Sequence, residues 1–363
     1  MAEMATPLHV LLAGGGTGGH VFPALAVAEE LSARGCSVSF AGMETGMEAR
    51  LVPARGIPFH ALPARPMVGR GFLARAQALG VLAGSARQAS RLIRRIGAHV
   101  VLGTGGYVSA PAVAGARLAG RPVLLLEPNA RAGVANRWLS RWAAAAAVGY
   151  HETAHDLKCP CFVTGIPVRS AFFAVPAELP SQSRLLILGG SQGAQQINQA
   201  MPAAATRLLE KLPMLRILHQ AGAKNVDETR ESYAKSGLGE PAVTVVPFLD
   251  DVAGAMAESH LLVSRAGAIT LAEICAAGRA SLLIPLSIAQ GHQVDNARLL
   301  ANAGAAEMIP SSDLDPGRLA DSLFGLLSDL PRLAHMGRQA RHLARPGAAA
   351  AIADHLEELG GVR

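Results

Sequence analysis

Four times along its 363 residues this chain repeats one local plan, in which an apolar run breaks at glycines or other small residues and reopens as a helical pattern. The first case, VLLAGGGTGGHVFP at residues 10–23, reads as a buried strand, a tight turn and a helix. The others are VLGTGGYVSAP from residue 101, LLILGGSQGAQQINQAM from residue 185 and HLLVSRAGAITLAEICAA from residue 260. Such a turn gathers backbone N–H groups at a helix start, where the macrodipole adds partial positive charge, so a phosphate or a developing oxyanion is its natural guest. Glycine is required because a Cβ would block both the positive φ angles and the close approach of an anion. His20 sits at the mouth of the first turn. Gly14, Gly16 and Gly19 also fit the dinucleotide fingerprint, so a plain Rossmann cofactor site is the first rival reading.

Strand and helix patterns alternate from end to end, which predicts α/β units built on doubly wound parallel sheets. In the first half strands are expected at 36–42, 57–62, 100–104 and 122–127, with helices at 47–55, 72–96, from about 109, and at 134–142. Two glycine turns ending neighbouring strands would share one crevice at the carboxyl edge of the sheet. A Pro-rich stretch through Pro180 marks a linker. A second unit then begins at Arg184, with strands at 215–219, 243–246, 260–264 and 281–284. The length and the 50% hydrophobic content suffice for two cores. The expected division is 1–166 and 167–344, with a last helix within 345–363 packing back on the first unit.

Charge is unevenly spread. Residues 1–170 hold 17 Lys and Arg against 8 Asp and Glu, a net +9, while 171–363 hold 16 against 19, a net −3. With aromatics at 4% and no reading motif, nucleic acid is not the expected partner. An anionic substrate or membrane surface accounts for the basic half as well. Along residues 72–96, Phe72, Leu73, Ala76, Leu79, Leu82 and Ala83 recur at helical spacing among Arg65, Arg70, Arg75, Arg87, Arg91, Arg94 and Arg95. That ridge would suit anionic lipid, or else pack on the sheet with its charges solvated. No apolar run reaches the length of a spanning helix and the first residues lack a secretory pattern, so a cytoplasmic protein is expected. Cys36, Cys159, Cys161 and Cys275 lack CxxC spacing and read as reduced thiols.

Several polar residues stand at strand ends or helix starts. Glu127 and Asn129 could orient a substrate hydroxyl or cap a turn. Ser191 offers a hydroxyl and an amide at the third turn. The amides of Ala268, Ile269 and Thr270 suit a diphosphate, and Glu273 the paired hydroxyls of a ribose. Gln290, His292, Gln293 and Asn296 are uncharged partners for sugar hydroxyls. Asp250 and Asp251 read as caps. Asp313 and Asp315 match a DxD metal spacing, but Ser312, Asp313 and Pro316 read as a helix start, so no metal is expected.

Taken together, GGTGGHVFPALAVA, MEARLVP, GTGGYVSAP, GGSQGA, SRAGAITLAE and HQVDNA, in this order, resemble the MurG family of peptidoglycan N-acetylglucosaminyltransferases nearly end to end. The resemblance implies the GT-B architecture, two Rossmann-like domains facing a cleft. It also implies transfer from UDP-N-acetylglucosamine (UDP-GlcNAc) to the muramyl-pentapeptide of undecaprenyl-diphosphate-linked lipid I, without a cofactor. By matching position Ser191 and the turn of Ala268, Ile269 and Thr270 would hold the diphosphate, with Leu271 and Ala272 also in the donor site. The Leu249 backbone would meet the uracil, Glu273 the ribose, and Gln293 with Asn296 the sugar. Arg169, Asn129, Thr17, Gly18 and Gly19 would complete the donor site, and Gly105, Gly106 and Tyr107 an acceptor loop. His20 would take the proton of the acceptor 4-hydroxyl, or alternatively bind the acceptor diphosphate. A lipid-borne acceptor further implies a peripheral enzyme at the cytoplasmic face of the bacterial membrane.

Three stretches depart from the family pattern. Leu126 and Pro128 flank Glu127 where His and Gln are usual, Ile166 replaces an Asn, and Gly291 replaces a charged residue. A UDP-GlcNAc 2-epimerase shares donor and architecture and is the rival enzyme; a membrane-associated nucleotide-sugar sensor is the non-enzymatic one.

Overall fold

The computed structural model describes residues 7–63, 72–106, 108–190, 193–286 and 292–361, with the backbone alone for 72–79. The chain divides into two compact units, residues 1–168 with 347–363, and residues 169–346.

In unit 1 the elements are β1 (His9–Ala13), α1 (Gly18–Ala33), β2 (Ser37–Gly42), α2 (Glu48–Leu51), β3 (Phe59–Ala61), α3 (Phe72–Ile96), β4 (Val100–Gly103), α4 (Ser109–Ala119), β5 (Val123–Glu127), α5 (Val134–Leu139), β6 (Ala145–Val148) and β7 (Cys161–Val163). Among the described residues the seven strands form one parallel sheet in the order β3-β2-β1-β4-β5-β6-β7. Its strands are apolar on both faces because helices cover both. Val10 and Leu12 of β1 pack with α1 and with the C-terminal helix Ala348–Leu359. Leu11 and Ala13 face α3 and α4. Arg34 at the end of α1 fixes the C-terminal helix, reaching Asp354 at 2.8 Å and Glu357 at 3.3 Å.

Unit 2 comprises α6 (Ser170–Phe173), β8 (Arg184–Leu188), α7 (Gln195–Lys211), β9 (Arg216–Gln220), α8 (Val226–Lys235), β10 (Val243–Val246), α9 (Val252–Ala257), β11 (Leu261–Ser264), α10 (Ala268–Ala277), β12 (Ala280–Leu283), α11 (His292–Asn302), β13 (Ala306–Met308), α12 (Pro316–Leu327) and α13 (Leu330–Leu343). Its strands form a second parallel sheet, β10-β9-β8-β11-β12-β13. Leu185 and Ile187 share a core with Ile197, Met201 and Leu208 of α7 and with Leu319 and Leu323 of α12.

Local chemistry explains where the elements differ from their expected bounds. Residues 47–55 divide: α2 ends at Leu51 and a 3₁₀ turn covers Pro53–Arg55, since Pro53 has no N–H to continue the ladder. β7, on the sheet edge, and β13 are three-residue strands too short for an alternation to register.

Two arginines tie the connecting segment to the rest of unit 2. Arg279, fully buried, donates Nε to the Met256 carbonyl at 2.9 Å, Nη1 to Pro176 at 2.9 Å, and Nη2 to Ala257 at 3.1 Å and Glu178 at 3.4 Å. Arg341 donates to the carbonyls of Phe173, Val175 and Ala277. Arg279→Ala strands several buried acceptors and leaves a cavity, so unit 2 is expected to lose about 3 to 5 kcal/mol. Urea unfolding should show this as an earlier transition for unit 2 while that of unit 1 keeps its midpoint.

Candidate functional site

In unit 1, β1 and β4 are neighbours, with Ala13 opposite Gly103. They flank the point where strand order reverses, which is where a doubly wound sheet opens its crevice. Thr17 occupies the N-cap position of α1 in extended geometry and its hydroxyl makes no capping bond. The N–H groups of His20 and Val21 turn back to the Thr17 carbonyl at 3.1 and 3.3 Å. Those of Gly18 and Gly19 have no acceptor among the described residues and remain open at the helix start. On the facing turn, Gly105 N–H donates to the Ser109 hydroxyl oxygen at 2.9 Å, which lies 2.8 Å from the Ala13 carbonyl.

His20 is half-buried at the third position of α1. Its Nδ1 lies 2.8 Å from the Thr104 carbonyl oxygen, and a carbonyl can only accept, so Nδ1 carries the proton and Nε2 keeps its lone pair. Thr104 Oγ1 in turn donates to the His20 carbonyl at 2.8 Å. Gly105, at φ +93°, curls against the ring, and a Cβ there would stand 2.8 Å from Nδ1 and Cε1. Burial lowers the imidazole pKa below its ordinary 6.5, against the Thr104 bond and the charges of Glu127 and Glu48, which raise it. The ring is therefore a neutral base at neutral pH.

Two carboxylates support this region from beneath. Glu127 is buried, and its Oε1 accepts from Asn129 N–H at 3.1 Å and Asn129 Nδ2 at 2.8 Å. Its Oε2 accepts from Gly133 N–H at 2.9 Å and Asn136 Nδ2 at 3.0 Å. Four donors commit it to shaping the loop after β5, the capping alternative rather than a direct substrate contact. Glu48 is fully buried and accepts from Met43 N–H at 2.9 Å and Gly16 N–H at 3.2 Å. Sequence reasoning assigned Glu48 no role; an acidic residue closely preceded by glycines was the available signal.

Unit 2 repeats the arrangement. β8 and β11 are neighbours across the reversal of strand order, with Leu188 opposite Ser264. Leu271 is the first residue of α10 whose N–H turns back, to the Gly267 carbonyl at 3.0 Å. The N–H groups of Ala268, Ile269 and Thr270 therefore have no acceptor among the described residues. Ala272 and Glu273 follow, half-buried, in the second turn. Glu273 Oε1 lies 3.4 Å from Arg169 Nη2, and the Arg169 guanidinium stands 4.9 Å over the Phe172 ring. Burial pushes the Glu273 carboxyl up to about 7, against the nearby Arg169 charge.

Two residues missed in the sequence organise these turns. Gln220, at the end of β9, accepts from Gly190 N–H at 2.9 Å and donates to the Gly190 and Pro247 carbonyls at 3.1 Å. It thereby links the glycine turn to the segment holding half-buried Leu249. Arg265 places Nη1 3.0 Å from the Ile284 carbonyl and Nη2 2.8 Å from Gln196 Oε1. A polar residue ending an apolar strand was the signal in both cases.

The sugar-binding candidates brace neighbouring loops. Gln293 Oε1 accepts from Leu286 N–H at 3.0 Å, and fully buried Asn296 donates to the Ala266 carbonyl at 3.2 Å. Asp251 caps α9 through Gly254 N–H at 2.8 Å. At the possible DxD, Asp315 caps α12 through Gly317 and Arg318 N–H, while Asp313 takes the Ser312 hydroxyl and pairs with Arg318. The cap is thus Asp315, not Ser312 or Asp313. Tyr107, Ser191, Gln290 and Gly291 lie outside the described residues.

The basic ridge divides. Arg65 and Arg70, and the side chains of Phe72, Leu73, Arg75, Ala76 and Leu79, lie outside what the structure describes. Farther along α3, Ala86, Ala89, Leu92 and Ile93 are buried, while Arg87, Arg91, Arg94 and Arg95 are exposed. Around α5, Trp138 and Trp142 form an exposed edge-to-face pair at 4.8 Å, flanked by exposed Arg137 and Arg141. Among the described residues no helix is long and apolar enough to cross a membrane.

The N-terminal domain model of glycosyltransferase family 28 matches residues 10–148, and its C-terminal domain model matches residues 184–357. A UDP-N-acetylglucosamine--N-acetylmuramyl-(pentapeptide) pyrophosphoryl-undecaprenol N-acetylglucosamine transferase of Acidithiobacillus ferrooxidans is 43% identical over 359 residues, 97% of this chain and 98% of that one. The crystal structure of Acinetobacter baumannii MurG matches with a TM-score of 0.76 and 34% identity, covering 97% of this chain and 100% of the other. A Listeria monocytogenes structure named for UDP-N-acetylglucosamine 2-epimerase reaches a TM-score of 0.72 at 16% identity, over 97% of this chain and 98% of that one, a likeness of fold alone. With both domain models in order and identity to its relatives running nearly end to end, the chain belongs to glycosyltransferase family 28 and, within it, to the MurG family.

Proposed function

We propose that this chain transfers N-acetylglucosamine from UDP-GlcNAc to the C4 hydroxyl of the muramyl-pentapeptide of lipid I, forming lipid II with inversion. The observation that carries the chemistry is the His20 tautomer: Nδ1 bound to a carbonyl leaves Nε2 as a neutral acceptor on a glycine-lined helix start. As the hydroxyl oxygen bonds to the anomeric carbon, its proton passes to Nε2 and the electron pair of the breaking C–O bond leaves with UDP. Identity to relatives named for this transfer favours it over epimerisation, for which the likeness is one of fold.

In this reading unit 1 supplies the acceptor base and acceptor loop, with Thr17, Gly18, Gly19 and Asn129 serving the donor, and unit 2 supplies the other donor contacts. The amides of Ala268, Ile269 and Thr270, with Ser191, stabilise the charge of the departing diphosphate, as preorganised donors do. Leu271 and Ala272 continue that wall, the Leu249 backbone meets the uracil, and Glu273, oriented by Arg169, takes the ribose hydroxyls. Gln293 addresses the sugar, and Asn296 contributes by steadying Ala266. In unit 1 the Thr17 hydroxyl and the Gly18 and Gly19 amides receive an anionic substrate group, Asn129 is presented by Glu127, and Gly105, Gly106 and Tyr107 line the acceptor loop.

Unit 1 would also rest on the cytoplasmic face of the membrane through α3. The exposed tryptophans and arginines around α5 support this, since indole rings favour the headgroup layer and arginines favour anionic lipid. Co-sedimentation with liposomes should rise with anionic lipid content and fall in Trp138→Ala/Trp142→Ala; binding indifferent to lipid charge would remove the proposal.

His20→Ala should lower kcat about 10²- to 10⁴-fold with a lipid I analogue while leaving UDP-GlcNAc affinity unchanged by calorimetry. Because the His20 pKa is depressed, wild-type kcat/KM should climb through an acidic limb centred below 6.5 and be flat at neutral pH. Undiminished transfer by the variant would end the general-base role. For the donor, Glu273 is protonated below its raised pKa of about 7, so UDP-GlcNAc affinity should strengthen as pH rises through 7. In Glu273→Gln affinity should be weaker by about tenfold and independent of pH over the same interval.

A further inference from the structure

The turn that carries His20 is built over a carboxylate that the proposed chemistry does not use. Glu48 shows no surface, and its two oxygens are divided between the strand-end loops after β1 and β2, one on Gly16 N–H and the other on Met43 N–H. Space for it is made by glycines on three sides. A Cβ on Gly15, Gly42 or Gly46 would overlap the Glu48 side chain. Gly16 holds φ at +85°, and the Glu48 bond fixes that left-handed residue immediately before the helix start. The same turn abuts the facing one, since a Cβ on Gly106 would overlap the Gly15 carbonyl.

We infer that Glu48 is a positioning residue for His20: it locks the 14–16 turn from which α1 starts and supplies a fixed negative charge behind the imidazole. The charge matters because burial disfavours the imidazolium that forms when the ring takes a proton, and a buried anion offsets that cost. Glu48 shares this task with Glu127 at the end of β5, whose charge likewise favours the imidazolium. Glu127 spends its oxygens on Asn129, Gly133 and Asn136, whereas Glu48 spends one on the turn itself. A neutral isostere would keep the shape and lose the charge; a shorter acid would keep the charge and lose the reach.

The inference rests on the reading of His20 as the acceptor-side base, and the test separates the two. The full-length enzyme would be compared with E48Q and E48D by NMR titration of ¹³C-labelled histidine, with His20 assigned through H20A. The pH profile of kcat/KM for a lipid I analogue would be measured alongside. In E48Q the His20 midpoint should move to lower pH and carry the acidic limb with it. In E48D the midpoint should hold, but kcat/KM should fall between about ten- and a hundredfold as the turn loosens. UDP-GlcNAc affinity should be unchanged in both variants. A His20 midpoint unmoved in E48Q, or full activity in E48D, overturns the role of Glu48. Should E48Q lack a cooperative melt, the rate and midpoint of E48D decide alone. Undiminished transfer by H20A would instead remove the role of His20 and leave the titration comparison standing.

Discussion

The proposed anion contacts depend on backbone N–H groups that the fold cannot satisfy. A parallel sheet sends each strand into a helix at the same edge, so helix starts and their unpaired amides collect there. In both units the two strands at the reversal of order, β1 with β4 and β8 with β11, end in turns of small residues. The consequence is a polar edge made almost wholly of backbone. Side chains are then needed less to bind than to hold that backbone still.

That division of labour explains the buried polar residues. Glu48, Glu127 and Gln220 each bond to main-chain groups of a strand-end loop, and Asn296 donates to the Ala266 carbonyl. Each is buried, which makes an unmade bond costly and so makes the loop geometry specific. Arg279 plays the same part away from the site, tying two carbonyls of the segment that enters unit 2 to two of α9.

The sheets were legible in the sequence because their strands are apolar runs bounded by glycines, and three glycine turns and the small-residue turn at 265–267 could be placed before any coordinates. What escaped were features whose signal is not periodic. β7 and β13 have three residues each, and the breaking of residues 47–55 at Pro53 follows from one missing N–H. At the site, His20 and Glu273 were legible because each sits beside a glycine or small-residue turn. Glu48 was not, because its partner Gly16 is 32 residues away and the glycines just before Glu48 mark only that it has room, not what it binds. The tautomer of His20 was equally hidden, being set by a carbonyl on β4's loop.

Burial acts on the two titrating residues in the same sense and with opposite usefulness. It favours the neutral form of both, lowering His20 and raising Glu273. For a base, neutrality is the working state, and the surrounding carboxylates need only temper the cost of the imidazolium. For a carboxylate meant to accept from ribose hydroxyls, neutrality is a loss, and Arg169 is the group that counters it. Arg169 stands at the start of unit 2, just after the division from unit 1, so the charge that sustains Glu273 enters with the first residues of unit 2 itself. Its hold on Glu273 thus ties the start of that unit to the electrostatics of the proposed ribose contact.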